Sequence, residues 1–196
     1  MNDGSNQEET KAILQCLDKL RDIQAIVPAK QDGPSPQEEP ENRLIDLLRG
    51  EWINAVTGYF ANHRPNYPYA LVDDEYKVQD LIYCLAATLL PDLQFENPQS
   101  KTVGAVTYTR VDFSSAKERL FIEAKFANDR HDAKKVDKEI SEDIFKYGKN
   151  GTFEILIFFV YCHNYTFPNQ RDFERRFTGL KNIDGNSFRT YCIVKP

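Results

Sequence analysis

Several features that define common protein classes are missing from this 196-residue sequence. No apolar run approaches the roughly 20 residues that a membrane-spanning helix needs. The four cysteines (Cys16, Cys84, Cys162 and Cys192) form no C-x-x-C pair and mostly lie in apolar segments, unlike a zinc site or a disulfide framework. The acidic and polar residues 1–10 do not form a secretory signal. We therefore expect a cytoplasmic protein without membrane association.

Motifs for several chemistries are also missing. The glycines follow neither the Walker nor the Rossmann spacing, and no G-x-S-x-G elbow is present. The three histidines, His63, His131 and His163, lie in or beside predicted loops without a ligand spacing. These absences argue against a P-loop enzyme, a serine hydrolase of the α/β type and a histidine-based metal site.

The net charge of −5 argues weakly against nucleic-acid binding, since phosphate contacts need Lys and Arg. The charge is unevenly distributed along the chain. Residues 1–75 contain 7 basic and 14 acidic residues, whereas residues 76–196 contain 18 basic and 16 acidic ones. The C-terminal two thirds therefore tolerate a polyanionic ligand without requiring one.

The N-terminal part reads as helical. Apolar residues at near-heptad spacing predict a helix over 8–27, and a proline-rich stretch, 29–40, predicts a linker before a second helix at 41–62. These helices could pair with each other, clasp the rest of the chain or contact a partner. We predict a helical region at 1–62, with the linker at about 28–40, and a second domain at 63–196.

The remainder predicts a mixed β-sheet flanked by helices, which is an α/β fold. Asp73 and Asp74 can cap the first of its helices. The helix predicted over 134–147 places Val136, Ile140, Ile144 and Phe145 inward. In chain order the predicted elements are a helix at 75–90, strands at 93–96, 105–113 and 120–126, the helix at 134–147, a buried strand at 153–161, a helix at 169–180 and a strand at 188–194.

The most informative stretch is the hairpin formed by the second and third strands. Glu123 and Lys125 project from one face of their strand, while Leu120, Ile122, Ala124 and Phe126 project from the other. A turn that is symmetric about residues 117–118 places Asp112 opposite Glu123, with Cβ atoms about 4.5–5.5 Å apart. A divalent cation between the two carboxylates would remove their repulsion. The alternative is an ordinary exposed ladder of charges.

These residues carry a family resemblance. Asp112 followed by Glu123-Ala124-Lys125 resembles the D…(D/E)-x-K core of the PD-(D/E)XK nuclease superfamily. Residues 74–81 resemble the acidic helix motif of its DpnII/MboI-like restriction endonuclease group. Residues 139–147, the apolar strand ending at residue 161 and the segment 169–180 also resemble that group. The resemblance covers about 73–195, departs from the family pattern around 97–107 and leaves the first 60 residues uncovered.

The resemblance implies a restriction-endonuclease-like fold and phosphodiester hydrolysis. Asp112, Glu123 and the Ala124 carbonyl would ligate Mg²⁺ or Mn²⁺, and Lys125 would position or activate water. Glu75 would complete the catalytic set by orienting water or joining a second metal shell, unless it lies on a solvated first turn. Gln79 would contact metal-bound water or the nucleic-acid backbone. Further candidate nucleic-acid contacts, which could equally lie on solvated helix faces, are Lys134, Lys135, Arg171, Arg175 and Arg176.

The sequence thus predicts a Mg²⁺-dependent endonuclease acting on double-stranded DNA as a homodimer or higher homo-oligomer. Its helical N-terminal region suggests a regulatory protein partner, as in an effector of a prokaryotic antiviral defence system. Three alternatives stay open: a catalytically inactive nuclease-fold scaffold or DNA-binding module, a nuclease selective for RNA or for particular structures, and an adaptor role centred on 1–62.

Overall fold

The computed structural model describes residues 40–98, 110–149, 151–163, 167 and 169–195. The predicted helix at 8–27 and the predicted linker up to residue 39 lie outside these ranges. The described helices are α1 (Pro40–Arg49), α2 (Trp52–His63), a 3₁₀ turn (Pro68–Ala70), α3 (Glu75–Ala86), α4 (Arg130–Gly148) and α5 (Gln170–Phe177). The strands are β1 (Gln94–Pro98), β2 (Arg110–Ser115), β3 (Leu120–Ala127), β4 (Ile155–Cys162), β5 (Gly179–Ile183) and β6 (Asn186–Lys195).

The strands form one mixed sheet in the order β1-β2-β3-β4-β6-β5. The β1, β2 and β3 strands pair antiparallel, β4 pairs parallel with β3 and with β6, and β5 returns antiparallel to β6. All eight residues of β4 are buried, which fits its nearly continuous apolar sequence, because a central strand covered on both faces has no solvent side. The predicted α/β fold, a mixed sheet flanked by helices with helices N-terminal to it, is confirmed.

Helices cover both faces of the sheet. On one face, α1, α2 and α3 pack through residues such as Leu44, Ile53 and Ile82 in a core that contains Ile122 and Phe159 of the sheet. On the other face, α4 and α5 pack against Phe121, Phe158 and their neighbours. Strand β3 therefore lies between two cores. The division at residue 62 stays a prediction, since most of residues 1–62 lie outside the described ranges.

Local sequence signals account for the start of α3 and for the division between α1 and α2. The Asp74 side chain caps α3 by accepting a hydrogen bond from the Lys77 amide at 2.8 Å, as the sequence predicts. The helix predicted over 41–62 is divided at Gly50 and Glu51 into α1 and α2. Glycine destabilises a helix interior, and the division falls at Gly50, one of the two glycines of that segment.

The C-terminal part contains a strand that the sequence analysis did not predict. The helix predicted over 169–180 ends at Phe177, because Gly179 has a positive φ of 127° and starts strand β5 instead. A hairpin turn with positive φ at Asp184 (50°) and Gly185 (85°) then leads into β6. Asp-Gly is a preferred dipeptide for such turns. The prediction of helix at 178–180 and of five strands was therefore wrong.

Candidate active site

The site lies where strands β2 and β3 separate. Their ladder pairs Ser115 with Leu120, Ser114 with Phe121 and Phe113 with Ile122, which is the register that the symmetric turn predicts. The ladder ends one residue before Asp112 would face Glu123. Instead, Asp112 reaches across the gap, and its Oδ2 accepts a hydrogen bond from the Ala124 amide at 2.8 Å. A side-chain carboxylate thus replaces a backbone contact.

Helix α3 closes the same gap from its N-terminal end. Alternate amides of a strand point to the same neighbour, so the Phe126 amide faces the gap beside that of Ala124. Glu75 accepts a hydrogen bond from the Phe126 amide, and Gln79 makes a side-chain hydrogen bond to Asp112. The structure therefore brings Glu75 and Gln79 to Asp112, and Gln79 is buried. Glu75 itself is partly buried, so these two side chains do not lie on a fully solvated face.

Glu123 and Lys125 are not exposed either. Glu123 is 4% exposed, and Lys125 Nζ lies 3.5 Å from Glu123 Oε2 and 3.1 Å from Asp143 Oδ2. Helix α4 covers this face of β3 and supplies Asp143. The alternative of an exposed ladder of charges is therefore excluded.

Tyr147, near the end of α4, lies at the gap between β2 and β3. Its hydroxyl oxygen lies 2.5 Å from Glu123 Oε1 and 2.6 Å from the carbonyl oxygen of Arg110. A phenol carries one hydrogen and can donate it to one of the two oxygens. Both contacts are hydrogen bonds when Glu123 is protonated and donates to the phenol oxygen, while Tyr147 donates to Arg110.

The pKa values of the cluster reflect burial together with excess negative charge. Burial and the charge of Asp112 raise the pKa of Glu123 to about 8. Burial also raises the pKa of Asp112, against the opposing effect of the Ala124 amide. Burial alone would lower the pKa of Lys125, but Glu123 and Asp143 outweigh it and raise that pKa above its ordinary value. The ammonium of Lys125 therefore stays charged at neutral pH.

Two members of the cluster, Asp143 and Tyr147, were absent from the predicted site. The sequence analysis instead placed Phe145 inward, yet Phe145 is 52% exposed, whereas Tyr147 is 1% exposed. The missed signal is a spacing. Tyr147 follows Ile140 by seven residues and Asp143 by four, so the three share one side of a helix.

A family model for DpnII-MboI restriction endonucleases (REase_DpnII-MboI) matches residues 54–194. The chain belongs to this family. No curated protein and no solved structure matches the chain significantly. The matched range begins within α2 and ends one residue before the end of β6, so it includes the buried cluster and all of the sheet except Lys195. Membership of a restriction endonuclease family supports a DNA-cleaving nuclease.

The basic residues predicted to contact phosphate lie outside the buried cluster of this nuclease. Lys135 pairs with Glu139, Arg175 with Asp172, and Arg176 with Asp137. Lys134 and Arg171 are exposed and form no ion pair with any other described residue. Their role in binding DNA stays a prediction.

Three cysteines and the side chains of two histidines lie within the described ranges. Cys162 and Cys192 are buried free thiols, Cys84 is partly buried, and His63 is exposed. His163 is partly buried and packs beside the rings of Phe126 and Tyr161. Among the described residues, no helix has the length and apolar character to cross a membrane.

The donor chemistry of the gap suits a hard divalent cation. Asp112 and Glu123 offer carboxylate oxygens, and the Ala124 carbonyl points to the same side of β3 as its amide. Within the described ranges, no group of three or more His, Cys, Asp or Glu side chains is arranged as a complete metal site. An ion held here would therefore need further oxygen ligands from water or from substrate phosphate.

Proposed function

We propose that this nuclease hydrolyses phosphodiester bonds of double-stranded DNA with Mg²⁺ or Mn²⁺, which Asp112, Glu123 and the Ala124 carbonyl would hold. One observation carries the proposal. Four carboxylates, those of Glu75, Asp112, Glu123 and Asp143, act electrostatically on one buried ammonium, that of Lys125. Buried like charges weaken a fold unless they are compensated, so this arrangement suits a site that receives a cation.

Each residue then has a role that follows from its environment. When bound, the cation would polarise a phosphoryl oxygen and favour deprotonation of a bound water. Lys125 stays charged, so it stabilises negative charge on the phosphate and orients water, whereas a general base would need a lowered pKa. Glu75 and Gln79 hold Phe126 and Asp112 in place from α3. We assign Glu75 to positioning water and Gln79 to positioning Asp112, the first of the proposed metal ligands.

The cleavage test compares wild type with Asp112→Ala and Lys125→Ala in Mg²⁺ and in Mn²⁺. Lys138→Ala is the matched control, because Lys138 is an exposed lysine on α4 that pairs only with Glu142 among the described residues. We expect wild type and Lys138→Ala to cut plasmid DNA, and the two site variants to leave it intact. Equal cutting by all four proteins would rule out the proposed site.

The substrate is tested in the same assay with duplex DNA, single-stranded DNA and RNA side by side. Preferential cutting of RNA or of single strands would replace duplex DNA as the proposed substrate. Intact nucleic acid in every lane, including reactions that contain the products of neighbouring genes, would favour the inactive scaffold instead.

We also propose that the nuclease acts as a homodimer or larger homo-oligomer, since cutting both strands of a duplex suits two-fold symmetry. A regulatory partner would bind the helical region at 1–62, as expected of an effector in a prokaryotic defence system. Sedimentation velocity tests the first proposal. Phage-challenge assays with full-length protein and with a variant truncated before residue 40 test the second.

A further inference from the structure

Helix α4 contacts the candidate active site through two side chains placed one turn apart. Asp143 and Tyr147 have the i, i+4 spacing that puts side chains on one face of a helix. Asp143 contacts Lys125, and Tyr147 contacts Glu123. The two contacts involve different functional groups of β3, so they can be tested separately.

Tyr147 connects the two strands that carry the carboxylates. Its hydroxyl contacts the carbonyl of Arg110 on β2, two residues before Asp112, and it contacts Glu123 on β3. The β2–β3 ladder has already ended at Phe113, so the backbone no longer sets the distance between the strands here. The ring of Tyr147 packs edge-on against Phe121, with centroids 5.9 Å apart. This side chain thus fixes the separation of β2 and β3 beside Asp112 and Glu123.

Asp143 acts on the ammonium of Lys125. Its Oδ2 lies 3.1 Å from Lys125 Nζ, closer than Glu123 Oε2 at 3.5 Å. With Asp143 present, the ammonium is shared between two carboxylates. Without it, the ammonium would lose its nearer partner and would no longer be held at the position that it has between β3 and α4.

We propose that Tyr147 and Asp143 are positioning residues with separable effects, Tyr147 setting the geometry of the metal ligands and Asp143 setting the position of Lys125. The inference rests on the proposed function. Neither residue is assigned to contact substrate. Tyr147 acts through Glu123 and Arg110, and Asp143 acts through Lys125.

The experiment compares two site variants with matched controls. Tyr147→Phe removes only the hydroxyl, and its control is Tyr161→Phe, a buried tyrosine on β4. Asp143→Asn removes one negative charge from α4, and its control is Glu142→Gln, whose carboxylate pairs with the exposed Lys138. The readouts are Mn²⁺ affinity by calorimetry, the Mn²⁺ concentration for half-maximal DNA cleavage, and turnover at saturating Mn²⁺. Thermal melts without metal verify folding.

We expect Tyr147→Phe to weaken Mn²⁺ binding and raise the half-saturating concentration about 10- to 100-fold, as the loss of a ligand's hydrogen-bond partner typically does. Its turnover at saturating Mn²⁺ should stay near that of wild type. Asp143→Asn should instead lower that turnover by about 10-fold or more, with Mn²⁺ affinity close to that of Glu142→Gln. A merely structural role would not produce this split.

The inference is overturned if the two variants change affinity and turnover alike, or if both behave like their controls. If Tyr147→Phe does not fold, Tyr147→4-methylphenylalanine fills the hydroxyl's space without donating, and the same loss of Mn²⁺ affinity is expected. If wild type neither binds Mn²⁺ nor cuts DNA, the proposed function fails and the inference fails with it. If wild type does both and the variants match their controls, only the inference fails.

Discussion

Charged residues occur in two contrasting arrangements in this nuclease. At the β2–β3 gap, Lys125 and Asp143 form a pair whose side chains are only 12% and 14% exposed. On the outer side of α4, Lys138 and Glu142 form a pair that is 77% and 63% exposed. The exposed pair is balanced one to one. Within the described ranges, the buried group has several carboxylates and one buried ammonium, that of Lys125.

The exposed charges of Lys138 and Glu142 have little effect on the stability of the fold, whereas the buried charges at the β2–β3 gap lower it. An exposed ion pair contributes about 0–1 kcal/mol, because water already solvates both partners. Buried like charges shift their pKa values instead, and the pKa of Glu123 is raised first by its burial and then by repulsion from Asp112. The cluster therefore suits chemistry better than stability, and each prediction below changes one side of the comparison.

The largest expected effect is on cleavage by Asp112→Asn. The substitution keeps the size of the side chain but removes a carboxylate from the proposed metal ligands. We expect turnover to fall about 100- to 1,000-fold, the loss typical when a preorganised electrostatic group is removed from an active site. Asp46→Asn, an exposed aspartate on α1, is the control and should cut DNA like wild type. A plasmid-nicking time course measures both.

Glu123→Gln should have opposite effects on stability and activity. The amide can donate to the phenol oxygen of Tyr147 as a protonated Glu123 does, and it removes one buried negative charge, while Lys125 keeps its pair with Asp143. We expect the metal-free protein to gain about 1–3 kcal/mol of unfolding free energy at pH 8, and we expect cleavage to be abolished. Urea denaturation of both proteins without metal measures the gain.

Glu142→Gln is the exposed counterpart in that experiment. Its charge is solvated, so its unfolding free energy should change by less than about 0.5 kcal/mol. If Glu123→Gln proved less stable than wild type, the carboxylate would be a net stabilising partner of Lys125, and the contrast between buried and exposed charges would not hold.

Much of the buried group of charges at the β2–β3 gap could be predicted from sequence, because features that are local in the sequence determine its position. The alternation of apolar residues and the symmetric turn were enough for the β2–β3 register, and the Asp74 cap placed Glu75 and Gln79 on the first turns of α3. These inferences require only local geometry.

The rest depended on tertiary packing. The rotation of α4 about its axis decides whether Phe145 or Tyr147 faces the sheet, and two aromatic residues at the end of a helix do not decide it alone. Among the strands that the structure describes, β5 is at the edge of the sheet and pairs with β6 alone. It shows little apolar alternation, so the Asp184-Gly185 turn was its main signal, and that signal was missed.

The stability of the metal-free protein should depend on pH through Glu123. Its pKa is about 8 in the folded state and near 4.5 when unfolded, so the folded state binds an extra proton between these values. Its contribution to stability is therefore complete below about pH 4.5 and is lost as the pH rises to about 8. The slope is at most about −1.4 kcal/mol per pH unit.

Thermal melts from pH 5 to pH 9 measure this slope, and Glu123→Gln should abolish most of it. Saturating Mg²⁺ should also reduce it, because the metal binds the deprotonated carboxylate. A slope that is equal in wild type and Glu123→Gln would assign the dependence to other groups.

The smallest effects are expected on the exposed side. Lys134→Ala and Arg171→Ala remove cations that have no ion-pair partner among the described residues. DNA binding should therefore weaken a few-fold. The slope of log K against log salt concentration should fall by about one unit for each phosphate that is no longer neutralised. Arg175→Ala should weaken binding less, because Asp172 already neutralises that charge.

Fluorescence anisotropy with a catalytically silenced Lys125→Ala background measures DNA binding by all three variants, and their stabilities from thermal melts should stay within about 0.5 kcal/mol of the background. Unchanged salt dependence in every variant would place the DNA on a different surface from α4 and α5.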